Sequence, residues 1–228
     1  MSQRYDLVVF DFDGTLADSL TWFRTALSDV IEKHGLTPIC EERAEALRGM
    51  SPKAIMDELG IPTWKIPFIA SDVRARAARN VDQIVLFDGI AELLCDLAAA
   101  NISIAVVSSN GETAIRAVLG AELAGLVDHY ACGAALFGKA AVFRKVARKT
   151  GSRASRTLCI GDEVRDIEAA REAGCACGAV SWGFATAEIL TAYSPDMLYR
   201  QIADISAHVL ASDASASASP SRAGVTLP

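Results

Sequence analysis

The chain has 228 residues, 51% hydrophobic and 22% charged, enough apolar material for one core or for a core with a small accessory unit. Its net charge is −6 and its Lys and Arg residues form no cluster, so it lacks the concentrated cations that binding to nucleic-acid phosphates requires. No stretch approaches the ~18 uninterrupted apolar residues of a membrane span, and Asp11 and Asp13 break the N-terminal apolar run, so the expectation is no signal peptide and a cytoplasmic location.

Tyr5 to Asp11 is short, apolar and rich in β-branched residues, and it stops at a Gly-Thr turn; it predicts a buried strand. A helix over 18–35 follows, capped by Asp18 or Ser19 and ended by Gly35, with Trp22, Phe23 and Leu27 on its core side. Residues 41–81 read as helical, punctuated at Pro52, Gly60, Pro62 and Pro67. From Asp88-Gly89 the pattern alternates. Helix 90–100 leads to strand 102–108, helix 112–120, a short extended piece near 128–132 and helix 139–150. Strand 157–161, helix 164–173, strand 176–182 and a helical stretch over 186–209 complete it.

Apolar strands alternating with amphipathic helices predict an α/β fold, a Rossmann-like parallel sheet with helices on both faces. The helical block interrupts that alternation after the first strand. The expected organisation is a catalytic core of 1–17 and 86–210, a small inserted α-helical cap at 18–85, and an Ala/Ser-rich tail at 211–228 expected to be disordered. The six cysteines are scattered through apolar surroundings without zinc-type spacing and are expected to be reduced and structural.

Four segments carry chemistry. Asp11-Phe12-Asp13-Gly14-Thr15 puts two acids at the carboxyl end of a buried strand, the edge that faces the ligand crevice of an open α/β sheet. Taken alone it also fits a surface Asp-Gly turn. Gly161-Asp162-Glu163-Val164-Arg165-Asp166 follows another strand and opens a helix, with Asp162 and Asp166 four apart; capping and metal binding are equally good readings. Ser108-Ser109-Asn110-Gly111 offers hydroxyls, an amide and turn N–H groups before a helix, a composition that suits phosphate and is common in loops. Lys139 opens a helix after Phe137-Gly138, and a lone lysine is usually solvated. Together, the four can reach one crevice from separate parts of the chain.

The stretch Asp11 to Ser19, DFDGTLADS, resembles the first motif of the haloacid dehalogenase superfamily. Ser108, Lys139 and Gly161-Asp162…Asp166 resemble its second, third and fourth motifs in the right order, and Gly161 to Gly174 is similar to the phosphoglycolate phosphatase-like branch. The resemblance spans about residues 5–205 and implies an enzyme, a Mg²⁺-dependent phosphoric monoester hydrolase acting on a small phosphorylated metabolite. It implies Asp11 as nucleophile and Asp13 as general acid and then base. Thr15, Ser108, Ser109, Asn110 and Lys139 become phosphate-binding, and Asp11, Asp13 (through its backbone carbonyl), Asp162 and Asp166 become metal-binding. The acid at Asp13 argues against the dehalogenase and phosphonatase branches, which lack it. A sugar phosphomutase is the alternative, and a phospho-accepting regulatory protein a more distant one. Arg48 and Lys53 resemble the basic residues of a cap loop that meets an anionic substrate. No nucleic-acid or membrane partner is expected, and the oligomeric state is not legible.

Overall fold

Leu7, Val8, Val9 and Phe10 have no solvent exposure, and they form the central strand β1 (Leu7–Phe10) of a computed structural model that describes residues 4–38, 40–48, 50, 52–133 and 138–211. The side chains of residues 25, 27, 28, 41, 52 and 53 lie outside that description, as does the stretch 212–228. Full burial of such side chains contributes about 1.5–3 kcal/mol each, so the strand that presents Asp11 is among the most firmly anchored parts of the molecule.

Beside β1 lie β4 (Ser103–Val107) and β6 (Thr157–Gly161), both parallel to it; β5 (His129–Ala131) flanks β4, and β7 (Ala176–Val180) and β8 (Met197–Tyr199) complete the other side. The sheet is six-stranded in the order β5-β4-β1-β6-β7-β8, with every pairing parallel. Alternate residues of β1 face opposite layers. Val8 and Phe10 pack with α5 (Ile90–Ala99), α6 (Glu112–Leu126) and α10 (Ile202–Leu210). Leu7 and Val9 pack with α7 (Lys139–Thr150), α8 (Val164–Ala173) and Leu190 of α9 (Ala187–Ala192). The fold is therefore α/β and Rossmann-like, with both faces covered.

Between β1 and β4 the chain makes a helical excursion. It leaves through β2 (Ala17–Asp18) and returns through β3 (Val85–Leu86), which pair antiparallel with Ala17 opposite Leu86. The excursion holds α1 (Ser19–His34), α2 (Glu41–Leu47), α3 (Pro52–Glu58) and α4 (Ile66–Arg79). Asp18 caps α1 by accepting from the Thr21 N–H, and Gly35 ends it in the left-handed conformation. Trp22 is buried and Phe23 partly so, while the Leu27 side chain lies outside the described residues.

Two elements differ from the sequence expectation. The stretch 186–209 is not one helical run but α9, the edge strand β8 and α10. Helix α6 continues past 120 to Leu126 through a kink at Gly120. All six cysteines are free, and Cys159, Cys175 and Cys177 are buried in one layer.

Candidate active site

Strand β1 ends at Phe10, so Asp11 and Asp13 do not share a continuing strand; a tight turn arranges them instead. The N–H of Asp11 still donates to the Ile160 carbonyl at 2.8 Å, which holds it at the sheet edge, and its Oδ1 accepts from the Phe12 N–H at 2.8 Å. The N–H of Gly14 bonds the Ala17 carbonyl at 2.8 Å, closing the turn. Only glycine suits position 14. Its φ is +71°, and a Cβ there would fall 2.2 Å from Oδ2 of Asp162.

The next strand over, β6, delivers Asp162 beyond its carboxyl end. Asp162 is fully buried, and both its oxygens are hydrogen-bonded: Oδ1 accepts from the Thr15 hydroxyl at 3.0 Å, and Oδ2 from the Phe184 N–H at 2.7 Å. Asp166 sits in the first turn of α8, where its Oδ2 accepts from the Glu163 N–H at 3.1 Å in a capping box. Lys139, the first residue of α7, bridges the two acids. Its Nζ lies 2.7 Å from Oδ2 of Asp11 and 2.5 Å from Oδ1 of Asp166.

Asp11, Lys139, Asp162 and Asp166 thus form one buried cluster. Asp11, Asp162 and Asp166 each offer a carboxylate oxygen, and the three atoms lie within 4.8 Å of one another. Three hard, buried oxygen donors at this spacing are able to hold a divalent cation. The charge balance agrees. No Lys or Arg among the described residues pairs with Asp162, and burial, then Glu163, Asp11 and Asp166, push its pKa well above the ordinary carboxylate range. Burial raises Asp11 too, against the pull of Lys139. Burial also acts on Asp166, but Lys139 and Arg165 outweigh it and hold this carboxyl below its usual value. Lys139 stays protonated because Asp11 and Asp166 overcome the cost of its burial. Without a bound cation the cluster is short of positive charge.

Strand β4 supplies the third wall. Ser108 is buried at its carboxyl end, where its Oγ accepts from the Asn110 N–H at 3.0 Å. The Asn110 side-chain amide reaches Asp13, donating to its two oxygens at 2.8 and 3.1 Å. Of the predicted residues on this loop, Asn110 is brought onto the acids, its amide turned onto Asp13. Thr15 is likewise turned inward, its hydroxyl hydrogen engaged by Asp162. Arg48 reaches the loop after β7 rather than a free pocket, and the Lys53 side chain lies outside the described residues.

Sequence reasoning passed over three contributors. Glu163 and Arg165 form an ion pair at 2.8 Å beside the cluster and add one charge of each sign. Phe184 acts through its backbone N–H, which no side-chain pattern announces.

Asp13 is pushed up to about 6, first by burial and then by the charge of Asp11, with the Ser19 hydroxyl, Arg165 and Lys139 opposing. Its ordinary value is 3.8. Between these two values the folded protein holds more protons than the unfolded chain. Stability therefore falls as pH rises through that window and stays reduced above it. Asp13→Asn, compared with wild type in EDTA by urea unfolding, is expected to gain about 2 kcal/mol between pH 4 and pH 8. A stability difference that does not change with pH would contradict the raised value.

A parallel sheet with acids following β1 and β6, a hydroxyl following β4 and a lysine opening α7 gathers these groups at the carboxyl edge, where open α/β sheets bind their ligands. The family model for haloacid dehalogenase-like hydrolases matches residues 8–180, and the chain belongs to that family. A phosphoglycolate phosphatase of Synechococcus elongatus is 30% identical over 199 residues, covering 87% of this chain and 94% of that protein. A haloacid dehalogenase-like family hydrolase from Streptococcus pneumoniae superimposes with a TM-score of 0.74 at 21% identity, covering 90% of this chain and 98% of that one. CbbY from Rhodobacter sphaeroides, solved in complex with phosphate, gives 0.68 at 21% identity, covering 86% and 93%. Among the described residues no helix is long and apolar enough to cross a membrane.

Proposed function

We propose that this chain is a Mg²⁺-dependent phosphatase that hydrolyses a small phosphorylated metabolite of the phosphoglycolate kind through a phosphorylated Asp11. The observation that carries the reading is the Lys139 bridge. One buried ammonium touches both Asp11 and Asp166, so the nucleophile from β1 and the acids following β6 belong to one site.

In the first step an Asp11 oxygen forms a bond to phosphorus while the bond from phosphorus to the substrate oxygen breaks. Asp13, whose pKa is raised to about 6 and so lies nearer neutrality than an ordinary carboxyl, gives its proton to that leaving oxygen. In the second step Asp13, now a base, takes a proton from water. The water oxygen bonds to phosphorus, and the bond to Asp11 breaks. Dividing one difficult displacement in two lowers each barrier. Ser108, Ser109 and Lys139 hold the transferring group. Thr15 orients Asp162 through the bond described above, and Asn110 aims Asp13. Asp11, Asp162, Asp166 and the Asp13 carbonyl would hold Mg²⁺, which would supply the positive charge that lets a carboxylate meet a dianionic phosphate. The helical segment 18–85 is read as a cap that closes over the crevice and selects the substrate. The choice of phosphoglycolate-like substrates rests on the Synechococcus relative.

The test is turnover of a panel of phosphate esters, including an aryl phosphate and 2-phosphoglycolate, with and without EDTA. Activity is expected to vanish with the chelator and to return when Mg²⁺ exceeds it. Activity indifferent to EDTA would remove the metal, and no turnover of any ester would remove the phosphatase.

A further inference from the structure

The loop after β7 joins the helical segment to the acid cluster, and Arg48 grips it. Arg48 Nε donates to the Phe184 carbonyl at 2.9 Å and one terminal nitrogen donates to the Gly183 carbonyl at 2.9 Å. The other terminal nitrogen pairs with Glu45 of α2 at 2.7 Å, so each guanidinium nitrogen has a partner. Phe23 of α1 adds an edge-to-face contact to the Phe184 ring, with centroids 6.2 Å apart.

The opposite side of the same loop bears on Asp162. The Phe184 N–H donates to Asp162 Oδ2, and a Cβ on Gly183 would fall 2.3 Å from Asp162 Cβ. Trp182 Nε1 donates to the carbonyl of Thr15 at 3.2 Å, and the Thr15 hydroxyl holds the other Asp162 oxygen. Both hydrogen-bond partners of the Asp162 carboxylate are thus tied to the segment 182–184, the first through Trp182 and the second as part of it.

We infer that Arg48 is a positioning residue, a latch whose planar fork fastens the helical segment to the 183–184 carbonyls, so that closing this segment and orienting Asp162 are one event. The inference rests on the metal-dependent reading above. Two bonds from one rigid fork suit arginine; a lysine ammonium is a single point charge on a flexible stem and cannot reproduce them. A cation that served only to attract an anionic substrate would be largely replaceable by lysine. The latch is not.

The experiment compares wild type, Arg48→Ala and Arg48→Lys by calorimetric titration with Mg²⁺ alone and by turnover of an aryl phosphate, after thermal melts show which proteins are folded. Both variants are expected to bind Mg²⁺ roughly tenfold more weakly, the lower end for a change to a group that orients a metal ligand, and to need correspondingly more Mg²⁺ for half-maximal turnover. Lysine is expected to recover little. Mg²⁺ affinity equal to wild type in both variants overturns the latch, all the more if KM rises only for substrates with a second anionic group and lysine restores it. A wild type that binds no Mg²⁺ overturns the metal-dependent reading and the latch with it, and that outcome is visible before any variant is made.

Discussion

Replacing Asp11 by Asn is expected to lower turnover of an aryl phosphate by at least about a thousandfold while the protein remains folded, because the attacking oxygen is lost and its replacement is a poor nucleophile. The fold should survive for local reasons. Asn has nearly the same volume, and its amide oxygen can still accept from the Phe12 N–H that now meets Asp11. Lys139 keeps Asp166 as a partner. Asp11 is also a group whose charge burial disfavours, so removing that charge relieves part of the crowding among the acids. Steady-state kinetics beside a thermal melt gives both readouts. Residual activity within tenfold of wild type would place the nucleophile elsewhere.

Replacing Lys139 by Met is expected to harm both catalysis and stability. Lys139 is the sole cation within salt-bridge distance of Asp11 among the described residues, and it also meets Asp166. Without it two buried carboxylates lose their partner, a change that typically costs about 3–5 kcal/mol. The sign with pH is definite. The folded pKa of Lys139 lies above its unfolded value, so its contribution is complete below the unfolded value and is lost only as pH rises through the folded one. At pH 7–8 the destabilisation should therefore be fully expressed. Turnover should fall about a hundred- to thousandfold, the range for losing a group that stabilises developing charge. Urea unfolding at pH 7.5 and kinetics at saturating Mg²⁺ test the two parts separately.

The elements that carry the site were legible because burial wrote them plainly. β6 and α7 are found at 157–161 and 139–150, as their apolar runs and flanking glycines require. β8 escaped for a physical reason. Met197–Tyr199 is a three-residue edge strand between a Ser-Pro-Asp turn and a capping box, too short to show alternation. The two-residue pair β2–β3 is shorter still. Within the site, the acids and Lys139 stood out through chemistry attached to strand ends. The loop 182–184 did not, because it works through backbone groups of Gly183 and Phe184, and backbone is the same in every sequence. Arg48 was visible as a cation near the crevice, but that its fork faces carbonyls needs the fold. Glu163 and Arg165 gave no signal either, since their mutual pairing leaves the charge balance of the cluster unchanged.

Trapping the covalent adduct tests the role of Asp11 most directly. Wild-type protein turning over an aryl phosphate with Mg²⁺ is quenched in acid, treated with borohydride and digested for peptide mass spectrometry. An acyl phosphate on Asp11 is reduced to homoserine at position 11, and that product is expected in the wild type and absent from Asp11→Asn. Rapid turnover with no homoserine at position 11, and with inversion rather than retention of configuration at a phosphorus made chiral by oxygen isotopes, would mean that water attacks phosphorus directly.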